Sequence, residues 1–209
     1  MIDLNKTYLY RMTHIENVPH ILLHGITHRN SPNANPGFTP IGDPSLISTR
    51  DIFQLDNGKL LGDYVPFYFG TRTPMLYVIQ KGFNGLNPTP AQDVVYCVTS
   101  VQKIIESELT FVFTDGHAVD CLSTQYNQHD VNHLEDLLDW QAVKSINWKS
   151  ETDLDLKRRK QAEFLVLGDV APIHILGFVV YNEVAYNRLL EMGLPKNQIH
   201  INNNHYFAI

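Results

Sequence analysis

Cysteine is nearly missing from this chain. Cys97 and Cys121 are the only two among 209 residues, and they form no Cys-x-x-Cys pair. A disulfide scaffold is excluded, and a reducing, cytoplasmic setting is expected. Long apolar runs are missing too. No stretch approaches the roughly 18 apolar residues of a membrane span. The N-terminal Met1-Ile2-Asp3-Leu4-Asn5-Lys6-Thr7 has no apolar core of signal-peptide length. Positive charge is in deficit, and the net charge of −6 argues against a generic nucleic-acid coat. It leaves room for a local basic patch, where the electrostatics of phosphate binding operate. There is no Gly-x-Gly-x-x-Gly, no Gly-Lys-Ser/Thr phosphate loop and no Gly-x-Ser-x-Gly elbow. His129 and His133 have the i, i+4 spacing of paired metal ligands, but the residue beside His129 is Asp130, so the zincin pattern with Glu is lacking. His117 and Cys121 share that spacing without a supporting cluster. No metal is expected.

What is present describes a globular domain. Hydrophobic residues make up 44% of the chain, ordinary for a packed core. Strands are expected over 8–12, 63–69, 94–98, 111–113, 163–167 and 175–181, with terminal strands at 198–201 and 205–207. Pro66 suggests an edge or bulged position within its strand. Asn17 reads as the cap of a short helix that tolerates Pro19 in its first turn and stops at Gly25. Pro74 opens another short helix, Ser100 caps a third, and residues 183–192 are amphipathic and helical. Residues 28–62 form a long stretch rich in Pro, Asn, Gly and Asp, with a short helix around 44–50. Connections of that length are more often functional than accidental. Strands outnumber helices and do not alternate regularly with them, which favours an α+β fold over a doubly wound one. A single domain over residues 1–209 is expected.

Lys157-Arg158-Arg159-Lys160-Gln161-Ala162-Glu163-Phe164-Leu165-Val166 is the most telling stretch. Four cations lead through Gln-x-Glu into an apolar strand. If Gln161 already lies on that strand, it shares a face with Glu163, because side chains alternate with period two. A carboxylate then sits at the mouth of a sheet under a cationic collar, an arrangement suited to an anionic substrate. The plainer reading is a solvated basic turn before a core strand. Arg11, His14, Arg50, Tyr64 and Tyr68 taken singly are surface or core residues.

Their combination resembles the DarT family of DNA ADP-ribosyltransferase toxins. The matching pieces are Tyr10-Arg11-Met12-Thr13-His14-Ile15-Glu16-Asn17, Asp63-Tyr64-Val65-Pro66-Phe67-Tyr68-Phe69, Thr73-Pro74-Met75-Leu76, Phe111-Val112-Phe113-Thr114-Asp115 and Gln161-Ala162-Glu163. They follow the family's order and spacing across nearly the whole chain. The resemblance implies an ADP-ribosyltransferase fold of the poly(ADP-ribose) polymerase kind, with mostly antiparallel sheets and short helices. It implies NAD as donor, single-stranded DNA as acceptor with thymine the modified base, and a macrodomain antitoxin as partner. Guanine or RNA as acceptor, or a silent nucleic-acid-binding homologue, are the alternatives. Carried over residue by residue, Glu163 matches the catalytic glutamate and Arg50 the loop arginine that works with it. Arg11, Thr13, His14 and Tyr68 fall where such folds hold the nicotinamide end of NAD.

The chemistry suits these residue types. Positive charge grows on the ribose as nicotinamide leaves, and a carboxylate stabilises it where it develops. The same Glu163 can take the proton that a thymine ring nitrogen loses. Lys157, Arg158, Arg159 and Lys160 are placed by sequence to meet DNA phosphates. A paired base hides its reactive edge, so a single strand is the sensible substrate.

Overall fold

The computed structural model describes residues 2–207. Eight strands form one sheet: β1 (Tyr8–His14), β2 (Tyr64–Tyr68), β3 (Val94–Ser100), β4 (Phe111–Thr114), β5 (Gln125–Asn127), β6 (Glu163–Leu167), β7 (Gly177–Val180) and β8 (Ile199–Ile201). Their spatial order is β5-β4-β6-β2-β1-β3-β7-β8. Only β7 and β8 run parallel; the other neighbours are antiparallel. Short helices fill the connections: α1 (Val18–His24), α2 (Pro44–Ile52), α3 (Pro74–Lys81), α4 (Val101–Glu106), α5 (Leu134–Leu137), α6 (Trp140–Lys144), α7 (Leu156–Arg159) and α8 (Glu183–Glu191).

The local rules behind these elements are visible. Ser100 Oγ accepts from Lys103 N–H and starts α4, while Asn182 Oδ1 caps α8 through Ala185 N–H. Gly25 ends α1 at φ +79°, and a Cβ there would meet Val170 O at 2.1 Å. Only glycine lets the chain pass this close and bridge Ile26 to Val170.

One face of the sheet carries the main core. Leu9, Val65, Phe67, Val95, Phe113, Phe164 and Val166 are buried there together. Each such side chain contributes roughly 1.5–3 kcal/mol by leaving water. The opposite face carries two smaller clusters. One gathers Leu76, Ile79, Tyr96 and Tyr206 over β1 and β3; the other gathers Leu55, Leu61, Tyr64 and Leu165 over β2 and β6. A cleft separates them.

The cleft exists because β1 and β2 diverge. β2 follows β6 through five residue pairs, yet meets β1 only at Tyr10–Tyr68. Pro66 therefore sits on an interior strand, with an open flank towards β1 that makes it locally edge-like. Its carbonyl faces that flank and accepts from Arg11 Nη1 at 3.1 Å. A residue's N–H and C=O point to the same side of a strand, so proline's missing donor costs no ladder bond here.

Two sequence expectations fail in this part of the molecule. Gln161 is not on a strand, since β6 begins at Glu163 and Gln161 Nε2 donates to Lys157 O after α7. Residues 205–207 form no strand. Tyr206 instead turns its hydroxyl inward to the carbonyls of Val94 and Val179.

Candidate active site

Glu163 opens β6 opposite Tyr68 and is fully buried. A buried carboxylate requires partners, and three residues on two segments supply them. Arg50, in the last turn of α2, donates from Nη1 to Oε2 at 2.9 Å and to Oε1 at 3.3 Å. Ala118 N–H donates to Oε1 at 3.0 Å. His117 Nε2 stands 3.9 Å from the same oxygen.

Each partner is positioned by local sequence. Asp43 caps α2 through Ser45 N–H and Ser45 Oγ and is held from the other side by Asn84. The bond from Ser45, with that from Asn84, keeps the Asp43 carboxyl below the usual range. The loop bearing His117 and Ala118 follows β4, which pairs with β6, so it returns to the start of β6. Gly116 permits this return, because a Cβ would meet the Arg158 guanidinium at 2.4 Å.

The cavity in front of Glu163 has a volume of about 490 Å³. Arg11 and Met12 line it from β1, and Tyr64, Pro66 and Tyr68 from β2. Arg50, His117 and Glu163 stand at one end, and residues between Thr27 and Ile47 cover it. Burial pushes the Arg11 guanidinium below its ordinary pKa and lifts the Tyr68 phenol well above its own. Arg50 Nη2 is buried and has no hydrogen-bond partner among the described residues. That orphan donor is a ready contact for an acceptor entering the cavity.

Four of the expected site residues therefore converge: Glu163, Arg50, Arg11 and Tyr68. Thr13 and His14 do not line the cavity. Thr13 Oγ1 accepts from Asn17 Nδ2, and the Asn17 amide in turn clamps Thr39 through both its N–H and C=O. His14 Nδ1 accepts from Glu16 N–H and caps the single 3-10 turn after β1. Both are engaged in holding the covering loop and the strand end.

The cationic collar also takes a different form. Arg158 binds Asp155, Asp115 and Ser123. Arg159 is ion-paired with Asp139, Asp153 and Asp155. Lys160 is buried, donates to Thr71 O and Val143 O, and is driven by desolvation to a pKa of about 8. Only Lys157 is exposed and uncommitted. Three of the four expected DNA contacts are thus engaged internally, because nearby aspartates and carbonyls reach them first.

Sequence reading missed His117, Ala118 N–H and the Asn17–Thr39 clamp. A signal for His117 was available: antiparallel pairing of two apolar strands places the residues after 113 beside those before 164. Among the described residues no group of three or more His, Cys, Asp or Glu is arranged to hold a metal ion, and no helix is long and apolar enough to cross a membrane.

Comparison with solved structures assigns the class first. The chain superposes on Thermus sp. 2.9 DarT in complex with ADP-ribosylated ssDNA with a TM-score of 0.84, over 96% of both chains at 29% identity. The NAD+ complex of Thermus sp. 2.9 DarT gives a TM-score of 0.77, over 96% of this chain and 98% of that one, at 29% identity. The fold is the ADP-ribosyltransferase fold. The family model described as ssDNA thymidine ADP-ribosyltransferase, DarT, matches residues 10–207, and the chain belongs to that family. A DNA ADP-ribosyl transferase of Escherichia coli O127:H6 is 31% identical over 97% of this chain and 94% of its own length. One from Thermus sp. (strain 2.9) is 36% identical over 77% of this chain and 74% of its own.

Proposed function

We propose that this chain transfers ADP-ribose from NAD to thymine in single-stranded DNA, as the toxin of a toxin–antitoxin pair. The observation that carries the reading is Glu163, fully buried at the mouth of the β1–β2 cleft and held by Arg50 and Ala118 N–H. The residues fit the donor. Arg11 keeps further N–H groups beyond the one given to Pro66 O, enough for a phosphate. Tyr68 is neutral and presents a ring face for nicotinamide.

In this mechanism Glu163 stabilises the positive charge that develops on the ribose as its bond to nicotinamide breaks. The new bond joins that ribose carbon to a ring nitrogen of thymine. Glu163 takes the proton this nitrogen loses. Arg50 holds the carboxylate aimed, and its unpartnered Nη2 donates to a carbonyl oxygen of the base. His117, 3.9 Å from the carboxylate, gives the proton a route outward.

We further infer a glycohydrolase partner of the macrodomain type that removes the mark. Support comes from Thermosipho africanus, where a relative 30% identical over 86% of this chain is a DNA ADP-ribosyl transferase–DNA ADP-ribosyl glycohydrolase fusion protein. Two free cysteines, one buried and one exposed, suit a cytoplasmic setting.

The test is direct. Protein and NAD are incubated with DNA strands of each base, single or annealed, and with matching RNA. Mass spectrometry should find added ADP-ribose on thymine DNA only, and only when unpaired. Equal modification of annealed thymine, or of thymine-free strands alone, overturns the reading.

A further inference from the structure

A second cavity, of about 530 Å³, opens on the other side of the single Tyr10–Tyr68 bridge. Tyr8 and Tyr10 bound it from β1, Gly70 to Arg72 from the turn after β2, and Trp140 to Ile146 from α6 and its exit. Its walls carry Lys6, Arg72 and Lys144 against one carboxylate, Asp3, in a chain whose net charge is −6. Lys160 lies beneath, bonded to the carbonyls of Thr71 and Val143.

Two features mark this cavity as a site. Arg72 holds φ +53°, a left-handed backbone that non-glycine residues avoid and that recurs where function demands it. Its guanidinium lies over the Phe207 ring at 4.9 Å, and its Nε is buried with no hydrogen-bond partner among the described residues. Tyr8, an aromatic ring at a strand start, is 44% exposed on the cavity rim. Exposed aromatics interleaved with cations are what a flexible nucleic-acid strand needs, since rings stack on bases and cations meet phosphates.

We propose that this cavity binds the nucleotide next to the modified thymine, with its base on Tyr8 and its phosphate on Lys144. The inference rests on the transferase reading above. Tyr10, which lines this cavity, and Tyr68, which lines the reactive one, are cross-strand partners, so the two cavities are neighbours across one bridge. A strand with its thymine in the reactive cavity would carry its next nucleotide across that bridge. This also answers how an acidic chain with an internally engaged basic run can hold a polyanion.

The test uses the full chain with Tyr8→Ala, Lys144→Ala and the double variant, and Lys196→Ala as a distant control. Binding of a labelled oligonucleotide is followed by fluorescence anisotropy across a salt series. Transfer is measured to that oligonucleotide and to thymidine monophosphate, and nicotinamide release without DNA is measured beside it. Tyr8→Ala should weaken oligonucleotide binding by about tenfold, and Lys144→Ala should lower the salt slope by about 0.7. The KM for the oligonucleotide should rise while kcat, the mononucleotide KM and nicotinamide release hold. Unchanged oligonucleotide affinity in the double variant overturns the proposal, as does an equal rise of KM for the mononucleotide. If the wild type neither releases nicotinamide nor modifies DNA, the transferase reading fails, while anisotropy still decides this site.

Discussion

Replacing Glu163 by glutamine removes one charge and almost no volume, so it separates chemistry from folding. Both carboxylate oxygens are engaged, Oε1 by Ala118 N–H at 3.0 Å and Oε2 by Arg50 at 2.9 Å. Glutamine offers one acceptor where the carboxylate offered two. Its amide nitrogen then faces a donor, and one N–H of Ala118 or Arg50 loses its bond. Losing a hydrogen bond to a charged group costs about 1.5–3 kcal/mol. The Arg50 side chain is 17% exposed, so water softens the loss and the lower end applies. For a chain of this size that is a fall in Tm of about 3–6 °C. The rate effect is larger. Removing one preorganised stabiliser of transition-state charge costs about 10²–10³ in turnover, or about 2.7–4 kcal/mol. Single-turnover transfer to a thymine oligonucleotide, read by mass spectrometry at 25 °C on protein verified folded by circular dichroism, should show that loss. Transfer within about threefold of wild type would refute the assignment of Glu163 as the charge stabiliser and base. Arg50→Ala provides the complementary reading. It should harm transfer to DNA more than NAD affinity, because the orphan Nη2 is assigned to the base.

The basic run separates into two kinds of residue. Lys157→Ala should lower the salt slope of DNA binding by no more than about 0.7 and leave stability unchanged. Arg158→Ala should instead cost about 1.5–3 kcal/mol in denaturant unfolding, since it deprives Asp115 and Asp155 of charge-assisted bonds; the reverse pattern would restore the run as a phosphate-binding collar. Lys160 predicts a pH effect of defined sign. Its pKa falls from 10.5 in the unfolded chain to about 8 when folded, so between these values the unfolded chain binds the extra proton and stability rises with pH. That rise is at most about 1.4 kcal/mol per pH unit. Lys160→Met should flatten it when unfolding is measured from pH 7 to 10, and parallel curves for variant and wild type would refute it.

Much of the fold was legible because its central strands are apolar on both faces. Val94-Val95-Tyr96-Cys97 and Phe164-Leu165-Val166 are short, β-branched and aromatic, which favours a buried strand. Polar or very short elements left no such trace. β5 is Gln125-Tyr126-Asn127, held by pairing with β4 and by Tyr126 stacking on Phe113. α7 has four residues, too few for helical periodicity to register. In the site, Glu163 was readable from Gln-x-Glu before an apolar run, and Arg50 from the family resemblance. Thr13 and His14 carry internal bonds that strand position alone does not reveal. Asn17 claims Thr13, and the Glu16 N–H claims His14.

The four cations before Glu163 make sense once the brace they build is traced. Arg158 accepts His117 N–H at its own carbonyl, and its guanidinium reaches across to Asp115 and lies against Gly116. The segment from Asp115 to Ala118 is thereby gripped from α7, the helix that leads into Glu163. Ala118 N–H, which holds the carboxylate, belongs to that gripped segment. Arg159 ties the same helix to Asp139 at the start of α6, and Lys160 ties it to the end of α6 and to the turn after β2. Three consecutive cations thus fasten three different loops around one buried carboxylate. A solvated run would leave Glu163 with a mobile backbone donor, and electrostatic stabilisation depends on donors already fixed before charge develops. Positive charge sits beside Glu163 to hold the site's walls in place, and Lys144 on the second cavity's wall is left to meet the strand.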